Sequence, residues 1–118
     1  MVSNISRGKS GEKLAKDYLI TKGYSILETN YRNKIGEIDI IAKDKDILVF
    51  IEVKTRTSTD YGYAFEAVDF RKQRKIINTS MVYVKYKNYV DTQLRYDIIE
   101  VYMTNVIKIN HLDNAFCL

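Results

Sequence analysis

Residues 36–56, GEIDIIAKDKDILVFIEVKTR, set Glu37, Asp39, Glu52 and Lys54 into two of the most apolar runs of the chain. A buried charge without a partner costs far more than one apolar contact returns, so these residues need a chemical reason to be there. The runs EIDIIA and ILVFIEV read as neighbouring strands joined by KDKD, and strand side chains alternate between faces. With KDKD as a four-residue loop, Ala42 pairs with Ile47 and Asp39 lies opposite Phe50; a two-residue shift would preserve the faces. One face then carries Ile38, Ile40, Ala42, Ile47, Val49, Ile51 and Val53 and must be core. The other carries Glu37, Asp39, Ile41, Leu48, Phe50, Glu52 and Lys54, apolar toward the turn and charged at the far end.

On this pairing Asp39 and Glu52 are diagonal neighbours at roughly 5–8 Å. Like charges that close repel, more so in low dielectric, and need a cation between them. Two arrangements satisfy this. One is an ion pair of Asp39 or Glu37 with Lys54 at the rim of an ordinary sheet. The other is a divalent ion: one Asp, one Glu and the Val53 carbonyl offer hard oxygen ligands of the kind Mg²⁺ takes along with water. Zinc is disfavoured, because His111 and the distant Cys117 cannot build a nitrogen or sulfur site. No histidine is placed to activate a serine or cysteine nucleophile, and His111 reads as an incidental strand residue.

The elements that would position these residues follow from periodicity. Ser10 to about Lys22 reads as an amphipathic helix with Leu14, Ala15, Tyr18 and Leu19 on its apolar stripe, Ser10 as cap and Gly23 as stop. Glu12 lies at the edge of that stripe, where it either leans toward the core margin or simply favours the first turn of the helix dipole. Tyr24–Arg32 reads as a first strand, and the hairpin supplies the second and third. TSTDYGYAFEA reads as a loop. Asp69 caps a second helix to about Tyr86, with Ile76, Ile77, Ser80, Met81 and Val84 buried. Arg95–Met103 and Val106–Leu112 read as late strands. Helix and strand segments in the order α-β-β-β-α-β-β give an α/β domain spanning residues 1–118.

Composition sets wider bounds. Of 118 residues, 46% are hydrophobic and 29% charged, an ordinary globular balance with no low-complexity segment. A lone cysteine fits a reducing compartment, and no apolar run reaches membrane-span length, so the expectation is a soluble cytoplasmic protein with no membrane partner. The net charge of +4 fits a polyanionic partner. Arg71, Lys72, Arg74 and Lys75 crowd one stretch, FRKQRK, which reads either as a solvated helix face or as a grip on phosphates.

Asp39 followed by Glu52-Val53-Lys54 resembles the D…(D/E)xK signature of the PD-(D/E)XK nuclease superfamily. The blocks GKSGEKLAKDYLITKGYSILETNYR, GEIDIIAKDKDILVFIEVKTR, AVDFRKQRKI, RYDIIEV and HLDNAF together resemble the YraN-type bacterial family, related to archaeal Holliday-junction resolvases. The resemblance implies a restriction-endonuclease-like core, a central mixed sheet flanked by helices. It implies Asp39 and Glu52 around Mg²⁺ or Mn²⁺, to which the Val53 carbonyl would add its oxygen, with Glu12 completing the acidic cluster directly or through water and Lys54 positioning water or stabilising charge on the phosphate. It places Lys72, Gln73 and Lys75 at phosphate contacts, with Arg56 and Arg95 as further candidates; Glu37 is a lesser one, and Asp97 matches a family position without an assigned role. Ile38 replaces the proline of the superfamily name, and Gln73 is followed by Ile77 where an exonuclease-type helix has tyrosine. The implied activity is phosphodiester hydrolysis in DNA, branched or damaged DNA included, with a homodimer as in related resolvases. The alternative is a non-catalytic nucleic-acid-binding or assembly protein that keeps the nuclease fold.

Overall fold

The structure is a computed structural model that describes residues 4–57 and 68–117. The element order is α1 (Asn4–Thr21), β1 (Ser25–Arg32), β2 (Glu37–Asp44), β3 (Ile47–Arg56), α2 (Phe70–Tyr86), β4 (Leu94–Met103) and β5 (Ile107–Phe116). The strands form one sheet in sequence order. All neighbours are antiparallel except β3 and β4, which run parallel and are joined through α2. The α/β class and the order of elements match the expectation from periodicity, and the mixed sheet flanked by helices matches the one the resemblance implies. The loop expected over TSTDYGYAFEA lies, from residue 58, outside the described residues.

Each face of the sheet carries one helix. Ala15 and Leu19 of α1 pack on Ile40, Ala42, Val49, Ile51, Val53, Ile99 and Val101. Ile76, Ile77 and Tyr83 of α2 pack on Ile38, Ile41, Leu48, Phe50, Tyr96 and Ile98. α1 begins six residues before the expected Ser10, which therefore lies inside the helix and is not its cap. It ends as expected at Gly23, whose φ of 94° is open to glycine and lets the Tyr24 N–H close on Leu19 O at 3.0 Å. Asp69 caps α2 by accepting from Lys72 N at 2.9 Å. The buried stripe of α2 includes Thr79 and Tyr83, whereas Met81, expected inside, is exposed. The aromatic ring decides that rotation: Tyr83 stands edge-on to both Tyr31 and Phe50.

The hairpin register differs from the four-residue loop by the two-residue shift. Asp44 pairs with Ile47 and Ala42 with Val49, because Lys45 takes a φ of 56° and the turn needs only Lys45 and Asp46. Phe50 consequently faces Ile41, not Asp39.

A further departure bears on the site. Ile38 and Ile40 belong by parity to one face, yet Ile38 packs under α2 and Ile40 under α1. The β2–β3 ladder stops at Ile40↔Ile51, and on the other side of β2 the register sets Asn30, with a φ of 52°, across from Asp39. Both strands thus turn over at this level, and Asp39 occupies the crossing between the faces.

Gly11 brings α1 down onto β3: a Cβ there would collide with Thr55 Oγ1. Gly11→Ala is expected to lower stability by about 1–3 kcal/mol despite the higher helix propensity of alanine. Urea unfolding of Gly11→Ala and of Gly11→Ala/Thr55→Ala checks this, with the double variant recovering most of the loss.

Candidate active site

At the open end of the hairpin, where β2 and β3 part, the Val53 N–H donates at 2.8 Å to Asp39 Oδ2. A side-chain carboxylate thus does the work of a missing strand carbonyl, satisfying a donor that would otherwise be buried unpaired. Because Asp39 is anchored this way it stays in the notch, although Glu52 and Glu12 both repel it. Burial first, and the Glu52 charge second, push the Asp39 carboxyl up to about 7.

Glu12 approaches from α1, where Gly11 and Ala15 seat that helix on the sheet. Its carboxyl stands next to the side chains of Asn30 and Asp39, and burial together with the charges of Glu37 and Glu52 raises its pKa. Of the two sequence readings of Glu12, the core margin is the one realised.

Glu52 projects toward α2, in step with Leu48 and Phe50, and its side chain is 10% exposed. Its Oε1 lies 2.9 Å from Lys72 Nζ and 3.6 Å from Lys54 Nζ. The two ammoniums divide their roles. Burial and the neighbouring Lys72 lower the pKa of Lys54. Burial would lower Lys72 too, but hydrogen bonds to Lys54 and Glu52 outweigh it and leave that group raised. Lys54 is accordingly the one that gives up its proton first, and Lys72 remains the cation that holds Glu52.

Among the described residues, no three His, Cys, Asp or Glu side chains are grouped closely enough to cage a metal. The oxygen donors fit Mg²⁺ in a sparser way, since that ion is held by one or two carboxylates and keeps much of its water. The Val53 carbonyl leaves the strand on the same edge as its N–H, the edge that faces Asp39.

The remaining expected residues separate into two groups. Lys75 lies on the exposed side of α2, and Glu37 is at the surface, paired with Arg32 at 2.8 Å. Gln73 donates from Nε2 to Val68 O at 2.9 Å and so ties down the approach to α2. Arg56 lies 3.3 Å from Glu100, a carboxylate buried to 1% exposure that also accepts from Asn110 at 3.2 Å. Arg95, expected as a phosphate contact, instead has its guanidinium engaged within the protein. It lies at the hairpin end of the sheet, where its guanidinium grips both oxygens of Asp97 at 2.9 and 3.0 Å, Asp44 at 3.0 Å and Tyr24 Oη at 2.6 Å.

Sequence reading missed several residues. His111 is not incidental: it donates from Nε2 to Asp97 at 2.7 Å and meets Tyr18 Oη through Nδ1 at 3.1 Å. Asp97, whose role was open, is the anchor of that network. Glu100 shares strand parity with Tyr96 and Ile98, a signal that would have placed it inside. Lys9, Lys13 and Lys16 rim a hollow of about 300 Å³ that Glu12 and Asp39 also line. Their i, i+4, i+7 spacing was visible, but nothing in the sequence says that this face of α1 borders Asp39.

Two outcomes follow for variants. Arg95→Met leaves Asp97 buried with its main cation gone and is expected to cost about 3–5 kcal/mol in chemical denaturation. Asp39→Asn keeps an acceptor for Val53 N and removes a carboxyl whose folded-state pKa is raised. In the wild type, the stability tied to protonated Asp39 is full below the ordinary aspartate range and is lost as pH rises through about 7. Metal-free Asp39→Asn should therefore exceed wild type by about 1–3 kcal/mol at pH 8 and converge with it near pH 4, as followed by thermal melts across pH.

Comparison with known proteins places this geometry in a family. The model of the uncharacterised protein family UPF0102 matches residues 11–101, a span that holds Glu12, Asp39, Glu52, Lys54 and Lys72. A UPF0102 protein of Caldanaerobacter subterraneus subsp. tengcongensis is 52% identical over 113 residues, covering 92% of this chain and 93% of the relative. One from Clostridioides difficile is 49% identical over 115 residues, covering 98% and 100%. One from Persephonella marina is 45% identical over 110 residues, covering 93% and 92%. On matches of this identity and extent, the chain belongs to the UPF0102 family, the YraN type.

Proposed function

We propose that this chain is a metal-dependent nuclease that hydrolyses phosphodiester bonds in DNA, built on a restriction-endonuclease-like core. The observation that carries the reading is the placement of Asp39: a half-buried carboxyl anchored by the Val53 N–H, with Glu12 and Glu52 repelling it and a lysine pair on Glu52. A group kept at that cost, and not neutralised by a nearby arginine, is what a cation site requires.

Asp39, Glu52 and the Val53 carbonyl would hold the ion, with Glu12 behind Asp39. Bound there, Mg²⁺ or Mn²⁺ supplies Lewis acidity toward a phosphoryl oxygen and lowers the pKa of water. Lys54, as an ammonium beside Glu52, is suited to position the attacking water or to stabilise charge developing on the phosphate. Lys72 steadies Glu52 and adds positive charge where the phosphorane develops, and preorganised charge of that kind usually lowers a phosphoryl-transfer barrier more than any other effect. Lys75 on α2 and Lys9, Lys13 and Lys16 on α1 offer backbone contacts on the two sides of the notch; contacts of that kind are strongly salt-dependent and blind to sequence. The same proposal places the chain in the cytosol, with DNA as its partner and a homodimer as an allowed state. Among the described residues no helix is long and apolar enough to cross a membrane.

One observation favours a second reading, a nucleic-acid-binding or assembly protein without catalysis. Lys54 and Lys72 already stand against Glu52, so part of the acidic charge is balanced without a metal.

A panel of linear, nicked, flapped and four-way DNA at low salt with Mn²⁺ separates the two. The nuclease reading expects cleavage by wild type, loss of about 100-fold or more in Lys54→Ala, and none detectable in Asp39→Ala. Metal titration calorimetry should show a site that Asp39→Ala abolishes. Identical behaviour of wild type and Lys54→Ala on every substrate leaves the binder.

A further inference from the structure

A cleft of about 560 Å³ lies beside the site, between the Asn33–Gly36 turn that links β1 to β2 and the first turns of α2. Its volume falls within the roughly 300–1,000 Å³ of small-molecule pockets. The cleft is held in shape. Asn33 accepts from Ile35 N at 2.9 Å, and its amide donates to Thr79 O at 3.2 Å, fixing the turn to α2. Gly36 sits closer to that helix than a residue with a side chain could, since a Cβ would come within 2.9 Å of Thr79 Oγ1.

Its lining has two characters. Ile35 and Ile76 give it apolar walls, and Ile35 is 40% exposed although it is a large aliphatic residue. Arg32, Lys34, Arg71, Lys72 and Lys75 surround it with positive charge. Two carboxylates also border it, but Glu37 is engaged by Arg32 and Asp69 by the helix cap. No ion pair to Lys34, Arg71 or Lys75 is present among the described residues. A surface that only gripped phosphates would need no apolar slot, and a purely apolar ligand would need no cations. A nucleobase with phosphates attached needs both.

Lys72 joins the cleft to the site: it lines the one and lies 2.9 Å from Glu52 in the other. We infer that the cleft receives an unpaired nucleotide adjacent to the scissile phosphate, so that the substrate is DNA with a single-stranded segment at the point of cleavage. In a duplex the base is stacked and paired, and its face is unavailable to Ile35 and Ile76. An unpaired base enters without that cost, with Lys34, Arg71 and Lys75 on its flanking phosphates. This inference deepens the nuclease reading and rests on it for the identity of the reaction, though not for the ligand.

Fluorescence anisotropy in EDTA tests the ligand apart from hydrolysis. A labelled blunt duplex is compared with the same duplex carrying a short single-stranded overhang, on wild type, Ile35→Ser and Lys75→Glu. The overhang should bind about tenfold tighter than the blunt duplex. Ile35→Ser, an uncharged change at an exposed position, should erase most of that difference while blunt-duplex affinity changes little. Lys75→Glu should weaken both and flatten the salt dependence. Equal affinities for the two DNAs, or a preference that survives Ile35→Ser, overturns the inference. Parallel Mn²⁺ cleavage assays keep the two ideas separate. A preference in binding with no cleavage of either DNA ends the nuclease reading and keeps the cleft, whereas cleavage of both at equal rates and affinities does the reverse.

Discussion

When two strands diverge, the N–H groups along the parting edge lose their carbonyls, and in a buried sheet something else has to accept from them. Among the described residues a carboxylate meets that need at two places. Asp39 takes the Val53 N–H where β2 leaves β3, and Asp97 takes the Asn114 N–H at 2.9 Å where the β4–β5 register shifts. The backbone device is the same in both places, and what surrounds it is opposite. Around Asp97 stand Arg95 and His111; burial alone would raise its pKa, but their hydrogen bonds and the Asn114 N–H keep it below the ordinary range. Around Asp39 stand Glu52 and Glu12, and the Val53 N–H and the Lys72 charge offset only part of the burial and repulsion, so its pKa stays raised.

The contrast divides the sheet into two ends. At the hairpin end, Tyr24, Asp44, Arg95, Asp97, His111 and Tyr18 form a network in which the acidic charges meet donors. Such a network fixes the placement of α1, β4 and β5 at once, since Tyr18 is on the helix and His111 on the edge strand. At the open end, the acids outnumber what Lys54 and Lys72 balance. Stability given up at one end is tolerable because the other end is satisfied, a trade commonly found where a site must hold charge for a ligand. Glu12 links the two ends, because the helix that presents it is positioned by Ala15, Leu19 and Tyr18 farther along.

The carboxylate at the crossing also explains why β2 contributes to both cores. An uninterrupted strand would have put Ile38 and Ile40 under the same helix. The turnover at Asn30 and Asp39 sends Ile38 beneath α2 with Tyr31, and so closes the apolar layer that carries Lys72 toward Glu52. The fold and the candidate site share one irregularity; neither is laid on top of the other.

Sequence alone settled what local periodicity can settle: two amphipathic helices, five strands in the right order, and the clustering of Glu37, Asp39, Glu52 and Lys54 at one end of a hairpin. Those follow from alternation and helical spacing, which act over a few residues. It did not decide the partners. Arg95 and Lys72 look alike as basic residues beside a strand or on a helix, yet one is locked to Asp97 and the other faces Glu52, because only packing of distant segments fixes which carboxylate each meets. His111 and Asp97 are fourteen residues apart, and the Asn33–Gly36 turn reaches α2 across more than forty. Contacts of that separation depend on how the strands twist and where their ladders break, and tertiary structure alone supplies that.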